Sequence, residues 1–289
     1  MFYNWKRLAI NGIQMKSLKT SDGVYLFKKD TQEEKLILKS INNIKCSFDP
    51  NDEIINRKLT FKDKKGVVQE PYRSNSEISG ANSVVEVYDS GDLSSVGAYS
   101  FKDCSNLSSV CLKGATEIRF KAFFNCTELE YVDIPAVSTL MNYDHDSEGV
   151  FFNCNKLTSI NCLNIENLGI GTFNRCNSLI SIDLPKLHKI NSYVFQGCNS
   201  LSSINIPNVT RLETYCFMNC SSLVSLEIPK ANYIGGFSNC HSLSILDFSE
   251  KTDVTIPILT NVIGILGQLH DDFRIIVPER LYDNWISAN

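Results

Sequence analysis

Apolar residues recur in a fixed pattern along the central part of the chain, and this pattern predicts the architecture. In seven successive segments a Phe, a Cys and a Leu stand three positions apart, in that order. Successive cysteines of the pattern are 22, 28, 22, 22, 22 and 20 residues apart. Self-similarity at such a period is typical of a stacked repeat protein. We number the segments as repeats 1 to 7 by their cysteines, which are Cys104, Cys126, Cys154, Cys176, Cys198, Cys220 and Cys240.

The segment after each cysteine predicts a short β-strand. Its pattern L-x-x-I-x-I alternates over its last residues, as a strand with one buried face does. In four repeats a proline follows directly, and proline ends strand pairing because it has no backbone N–H. A single segment cannot bury its own apolar face, so the repeats are expected to stack strand beside strand. The predicted core includes Phe101, Cys104, Leu107, Phe123, Cys126, Leu129, Phe173, Cys176, Leu179, Phe195, Cys198, Leu201, Phe217, Cys220 and Leu223.

The same residues carry a resemblance to a known family. The motif G-x-x-x-F-x-x-C-x-x-L-x-x-I-x-I-P, seen here from Tyr193 to Pro207, resembles the BspA-like leucine-rich repeats. The resemblance covers roughly residues 79–250. It implies a mainly β fold, a right-handed leucine-rich-repeat solenoid with a parallel sheet on one face. It also implies an interaction scaffold, not an enzyme, of the kind found on bacterial or protist surfaces that binds host or matrix proteins.

The N-terminal residues predict a small antiparallel β domain. Asn11-Gly12 separates the apolar runs Leu8–Ile10 and Ile13–Met15, and Asn-Gly favours the type I′ turn of a two-residue hairpin. A further turn is expected at Asp63–Gly66. This part of the chain is similar to the small β modules at the start of phage tail-associated proteins.

The C-terminal residues predict a cap that closes the solenoid. Residues Asp272–Val277 are expected to form a last strand, and Pro278 then starts a short helix at its favoured first position. Leu281 and Trp285 are four positions apart and would share one face of that helix. Solenoids need atypical end units that cover the last open repeat. The segment is similar to the closing segments of bacterial and phage leucine-rich-repeat proteins.

Charge divides the chain after residue 73. Residues 1–73 hold 15 Lys and Arg against 9 Asp and Glu, or +6, whereas residues 74–289 hold 13 against 23, or −10. This change predicts a boundary, which yields a basic β domain at 1–73, the solenoid at 74–250 and a capping segment at 251–289. The basic part carries no nucleic-acid-binding motif, so nucleic acid is not an expected partner.

The eleven cysteines are expected to be reduced core residues. Seven of them fall in one repeat column, where each would take the place of a buried small residue. Cys216 and Cys220 form a C-x-x-x-C pair, but Cys216 stands in a column of small inward residues, and zinc needs four ligands. The sequence therefore predicts no metal site and no cofactor.

Two parts of the solenoid are candidates for partner binding. The first is the exposed side of the strands, where Asp, Asn and Glu form a row; a solvated ladder is the other interpretation. The second is a six-residue insertion between Cys126 and Cys154, and its alternatives are a plain solvated loop and a cation-binding loop. The candidate residues are Tyr131, Asp133, Asp183, Asn205, Glu227 and Asp247 on the strands, and Tyr143, Asp144, His145 and Asp146 in the insertion.

No catalytic motif accompanies these features. The four histidines are scattered, and P-loop, nucleophile-elbow, H-E-x-x-H and dinucleotide motifs are missing from the sequence. No apolar stretch reaches the ~18 residues of a membrane span, and no signal peptide is expected. The sequence predicts a non-enzymatic adhesion module, on a phage virion or a bacterial surface, that contacts a host protein or cell-surface glycan and docks to a larger assembly through residues 1–73. An intracellular scaffold for a protein partner is the alternative.

Overall fold

The computed structural model describes residues 95–141, 147–251 and 272–281, together with the strand backbones at 6–10, 13–20, 23–28, 61–62, 68–69 and 86–88. The chain divides into two units, Met1–Lys35 and Leu36–Asn289. The predicted boundary between residues 73 and 74 lies outside the described residues and stays a prediction.

An antiparallel β-sheet forms the described part of the first unit. Its strands, in sheet order, are β1 (Lys6–Ile10), β2 (Ile13–Thr20) and β3 (Gly23–Lys28). Ile10 pairs with Ile13, which is the register that the two-residue connection Asn11-Gly12 requires. The second unit has another antiparallel pair before the repeats, made of β4 (Phe61–Lys62) and β5 (Val68–Gln69).

The repeats form two rows of strands. A three-residue strand and a two-residue strand alternate along the chain, so each row gains one strand per repeat. In chain order they are β6 (Glu86–Tyr88), β7 (Ser95–Val96), β8 (Ser109–Cys111), β9 (Glu117–Ile118), β10 (Tyr131–Asp133), β11 (Thr139–Leu140), β12 (Ser159–Asn161), β13 (Asn167–Leu168), β14 (Ser181–Asp183), β15 (Lys189–Ile190), β16 (Ser203–Asn205), β17 (Arg211–Leu212), β18 (Ser225–Glu227), β19 (Tyr233–Ile234) and β20 (Ile245–Asp247).

Both rows pair in parallel, and we call them the long-strand face and the short-strand face. The long-strand face has the sheet orders β6-β8-β10-β12, β14-β16 and β18-β20, and the short-strand face has β7-β9-β11-β13 and β15-β17-β19. Equivalent repeat positions lie opposite each other, so that Val132 pairs with Val110 on one side and Ile160 on the other. This parallel stack confirms the predicted solenoid. The short strands were not predicted, because two residues are too few to show an alternation.

Aromatic rings and thiols form two continuous columns in the core. The Phe rings of repeats 1 to 7 stack with centroid separations of 5.0–5.6 Å. Each repeat thiol from Cys126 onwards donates a hydrogen bond, at 2.9–3.2 Å, to the carbonyl of a Phe in the preceding repeat. The column needs a small apolar side chain that also carries a donor, and cysteine meets both needs. All of the residues predicted for the core are fully buried.

The C-terminal end adds a further strand and one helical turn. β21 (Arg274–Ile276) pairs in parallel with β20, and this strand lies inside the range 272–277 that the sequence predicts. A 3-10 helix at Glu279–Leu281 follows Pro278, and Leu281 is buried. Trp285, the other apolar residue predicted for this helix, lies outside the described residues. Within the described ranges, no helical segment has the length and apolar character that a membrane span needs.

A buried lysine ends one apolar column in repeat 7. Lys251 stands eleven positions after Cys240, the position that Ala231 occupies in repeat 6, and it is only 2% exposed. Its Nζ donates to Ala231 O at 3.3 Å and to Asn232 Oδ1 at 2.9 Å. These bonds offset the cost of removing the ammonium from water. The polar group therefore sits where the regular stack of apolar residues stops.

Candidate binding surfaces

The long-strand face presents a row of acidic and amide side chains. On each of its strands in repeats 1 to 7 the middle residue points inward, and the third residue lies on the outer side. Asp183, Asn205 and Glu227 are exposed, whereas Tyr131 and two further carboxylates are half-buried. We call this row the acidic ladder; its residues are Asp133, Asn161, Asp183, Asn205, Glu227 and Asp247.

Amides and carboxylates alternate along most of the acidic ladder. Asn161 Nδ2 donates to Asp133 Oδ1 at 2.8 Å, and Asn205 Nδ2 donates to Asp183 Oδ1 at 2.6 Å. Each amide thus takes the place of a second carboxylate that would repel the first. Such a bond to an ionised acceptor is stronger than one between neutral groups. The alternation seen in the sequence is therefore a physical contact between successive repeats.

The alternation fails at the C-terminal end of the acidic ladder. Glu227 and Asp247 lie directly opposite each other on β18 and β20. Two carboxylates at this separation repel each other, and the sheet is less stable for it. The highest density of negative charge on the long-strand face therefore lies in repeats 6 and 7.

The end of the six-residue insertion is tied to repeats 2 and 4. Ser147 O accepts a hydrogen bond from Asn174 Nδ2 at 2.9 Å, and Glu148 pairs with Lys121 at 2.7 Å. Gly171 packs against the same carbonyl, since a Cβ there would come within 1.9 Å of Ser147 O. The candidate residues of the insertion lie outside the described residues; they are Tyr143, Asp144, His145 and Asp146.

A second charged surface, absent from the sequence-based prediction, lies on the short-strand face. Arg211 Nε donates to Glu213 Oε1 at 2.7 Å, and Lys189 Nζ lies 3.1 Å from the same oxygen. The Arg211 guanidinium also covers the Tyr233 ring at 4.0 Å. Burial raises the pKa of Glu213, but the hydrogen bonds from Arg211 and Lys189 outweigh burial and lower that pKa below its ordinary 4.5. In the sequence, the only indication of this surface is that Lys189 and Arg211 stand at the same repeat position, thirteen residues after the repeat cysteine.

Cations and aromatic rings also gather at the turns of repeats 1 to 4. Lys102 Nζ and Lys121 Nζ lie 5.3 Å and 5.2 Å from the centroid of the Phe124 ring. Phe124 stacks on Phe152 at 5.0 Å, and the Arg175 guanidinium covers Phe152 at 5.4 Å. These rings and cations cover one another, so the cluster stabilises the turns. It does not offer open ring faces for stacking a ligand.

The cysteines are placed as core residues. The ten in the described part of the chain form no disulfide with one another, and all but Cys111 are buried. Burial raises the pKa of Cys162 and of Cys240 to about 12. Cys216 Sγ donates to a backbone carbonyl, Gly235 O, at 3.4 Å. Among the described residues, no group of three or more His, Cys, Asp or Glu side chains is arranged to hold a metal ion.

This stack of parallel strands, with one Phe, Cys and Leu inside each turn, defines a leucine-rich-repeat solenoid. A family model described as the BspA type leucine rich repeat region, with six copies, matches residues 78–185 and 145–256. The chain belongs to this family, as the motif predicts. No curated protein shows significant similarity to it.

Solved structures of bacterial leucine-rich proteins are similar to the chain at low identity. A leucine rich cell surface protein from Faecalibacterium prausnitzii A2-165 is 20% identical, with 89% of this chain and 57% of that chain covered and a TM-score of 0.49. A leucine-rich repeat protein from Eubacterium ventriosum ATCC 27560 is 23% identical, with 61% and 47% covered and a TM-score of 0.45. The chain thus spans about half the length of these two proteins.

Proposed function

We propose that the protein is a non-enzymatic interaction module whose solenoid binds a basic segment of a partner protein through the acidic ladder. One observation carries this proposal: the outward carboxylates Asp133, Asp183, Glu227 and Asp247 stand at one register position of the stacked long strands. Because the stack fixes the spacing of these carboxylates, little free energy is needed to order this surface when a partner binds.

The chemistry of the ladder favours Lys and Arg on the partner. Neighbouring strands lie ~4.8 Å apart, so carboxylates in alternate repeats are ~10 Å apart. Tyr131 is the one aromatic residue in these exposed rows, and large aromatic anchors are otherwise missing from the outward positions of the long strands from β8 to β20. Electrostatic attraction therefore supplies the association rate and the specificity, and salt is expected to weaken binding.

The charge split of the chain supports a docking role for residues 1–73. Their net charge of +6 contrasts with −10 for residues 74–289. In our proposal the basic part attaches the protein to a phage particle or a bacterial surface, and the solenoid contacts a host protein. Mass spectrometry of virions, culture medium, cell envelope and cytosol tests this location. Recovery in the cytosol alone would leave the intracellular scaffold as the correct function.

A positively charged peptide tests the acidic ladder directly. The probe is a fluorescein-labelled peptide with Lys at alternate positions, and its affinity is measured by fluorescence anisotropy. We expect the triple variant Asp183→Asn/Glu227→Gln/Asp247→Asn to bind it about tenfold more weakly, since each lost charge pair contributes about 0.5 kcal/mol. The matched control Asp103→Asn/Glu128→Gln/Glu250→Gln makes the same change in net charge elsewhere. Equal loss in both variants would show that only net charge matters and would overturn the proposal.

A further inference from the structure

The solenoid has a basic surface in repeats 4 to 6 that the acidic ladder does not explain. We call it the basic edge. It consists of the residues ten, twelve and thirteen positions after the cysteine, on and just before the short strands. Its Lys, Arg and His members are Lys186, His188, Lys189, Arg211 and Lys230.

The basic edge is confined to three repeats. In repeats 1 to 3 the same nine positions contain no Lys, Arg or His, and two of them are Glu. Repeat 7 has Glu250, Thr252 and Asp253 there. A surface that only kept the protein soluble would need no such boundary, least of all in a region whose net charge is −10.

The cations of the basic edge keep most of their donors available. Lys189 and Arg211 are opposite each other on β15 and β17, and their side chains are 49% and 47% exposed although both contact Glu213. Arg211 uses Nε for that contact, and a guanidinium has four more N–H donors. Lys186 has no hydrogen bond or ion pair with any described residue. The strands therefore hold two like charges side by side, with one carboxylate between them.

A depression gives the basic edge a concave shape. It is lined by Glu166, Pro185, Lys186, His188 and Asn208. Lys230 Nζ donates to Asn208 Oδ1 at 2.5 Å, which places a further ammonium at its border. Four permanent cations thus stand against Glu166 and Glu213, and their excess of two positive charges favours an anionic ligand.

The size of the basic edge favours a short acidic peptide. Repeats 4 and 6 are two strand spacings apart, which is ~10 Å, and an extended peptide covers this distance with three residues at ~3.4 Å each. A long polyanion would run on to the carboxylates of repeats 3 and 7, where it is repelled. We infer that the basic edge binds a segment of a partner protein with two or three carboxylates within about five residues. This inference rests on the proposed function, since it adds a second contact to the same interaction module.

A synthetic acidic peptide tests the basic edge. The probe is a labelled peptide with Asp at three alternate positions, and a counterpart with Asn at those positions reports contacts that need no charge. We expect the triple variant Lys186→Gln/Lys189→Gln/Arg211→Gln to bind the Asp peptide about tenfold more weakly than the unchanged protein. The control Lys113→Gln/Lys156→Gln/Arg175→Gln removes three exposed cations elsewhere and is expected to stay within about twofold.

A second variant and competing ligands complete the test of the basic edge. The triple variant also removes both partners of Glu213. The double variant Lys186→Gln/Lys230→Gln keeps these partners, and we expect it to bind the Asp peptide about fivefold more weakly. Equal loss in edge and control variants, equal binding of the Asp and Asn peptides, or a preference for a sulfated polysaccharide would overturn the inference. Edge-dependent self-association in sedimentation would identify a second copy as the ligand and overturn it as well. Binding by the acidic ladder is measured separately, with the Lys peptide and the variant Asp183→Asn/Glu227→Gln/Asp247→Asn, so the two proposals can fail independently.

Discussion

Glu227 and Asp247 lie directly opposite each other on neighbouring parallel strands, whereas Asn161 and Asn205 each donate to the carboxylate of the preceding repeat. The acidic ladder therefore stabilises the stack in its middle and weakens it at its C-terminal end. Binding faces often contain residues that lower the stability of the fold. The stack can tolerate it because a long column of Phe and Cys lies beneath.

Removing one of these two carboxylates is expected to stabilise the protein. Asp247→Asn restores the alternation and lets an amide donate to Glu227, so we expect a gain of about 0.5 kcal/mol in the free energy of unfolding, measured with urea. Asp183→Asn is the control, because there the amide of Asn205 loses its charged acceptor and stability falls. A gain in both variants would contradict the role of the alternation.

The thiols are expected to resist modification in the folded protein. Burial raises the pKa of Cys162 and of Cys240 to about 12, so almost none of these thiols is ionised at neutral pH. Cys111 is half-buried on the long-strand face and should react first with a disulfide reagent. The measurement uses a Cys46→Ser background, since Cys46 lies outside the described residues. If Cys111→Ser leaves the fast reaction unchanged, the assignment is wrong.

Stability is expected to depend on pH through Glu213. Its pKa is lowered in the folded protein, so its contribution is complete above the ordinary value of 4.5 and is lost as the pH falls through the lower, folded value. The free energy of unfolding at neutral pH should drop by about 1 kcal/mol in Glu213→Gln, and this difference should vanish in acid. Glu128→Gln removes a more exposed ion pair with Lys156 and should have less effect. A difference between Glu213→Gln and the unchanged protein that persists in acid would exclude this cause.

Two glycines with similar backbone angles are expected to differ sharply in their tolerance of alanine. Gly171 has a φ of +63° and Gly197 a φ of +72°. At Gly197 the nearest atom to a new Cβ is 3.7 Å away, so only the backbone conformation costs energy, about 1 kcal/mol. At Gly171 the Cβ would meet Ser147 O at 1.9 Å, and the end of the insertion must move. Urea unfolding should show a clearly larger loss for Gly171→Ala; equal losses would mean that this contact is not rigid.

The repeat motif predicts the position of the insertion but not how its end is attached to the solenoid. Six extra residues between Cys126 and Cys154 predict a loop, and the composition of the loop suggests partner contacts. The tertiary structure shows instead how the loop ends: Ser147 accepts from Asn174, 27 positions away, and Glu148 pairs with Lys121. Neither partner follows from the repeat motif, because Asn174 and Lys121 stand at positions that vary between repeats.

The sequence by itself determined the repeat register, the inward Phe, Cys and Leu columns and the parallel stack. These follow from local rules, since a side chain that recurs every 22 residues must meet its own copy in the next turn. Only the tertiary structure decided which polar residues meet. The short strands bring Lys189, Arg211 and Glu213 together, and the depression joins Glu166 to His188. Such contacts depend on the path of the backbone between the two strands of each repeat. The hydrophobic pattern does not predict that path.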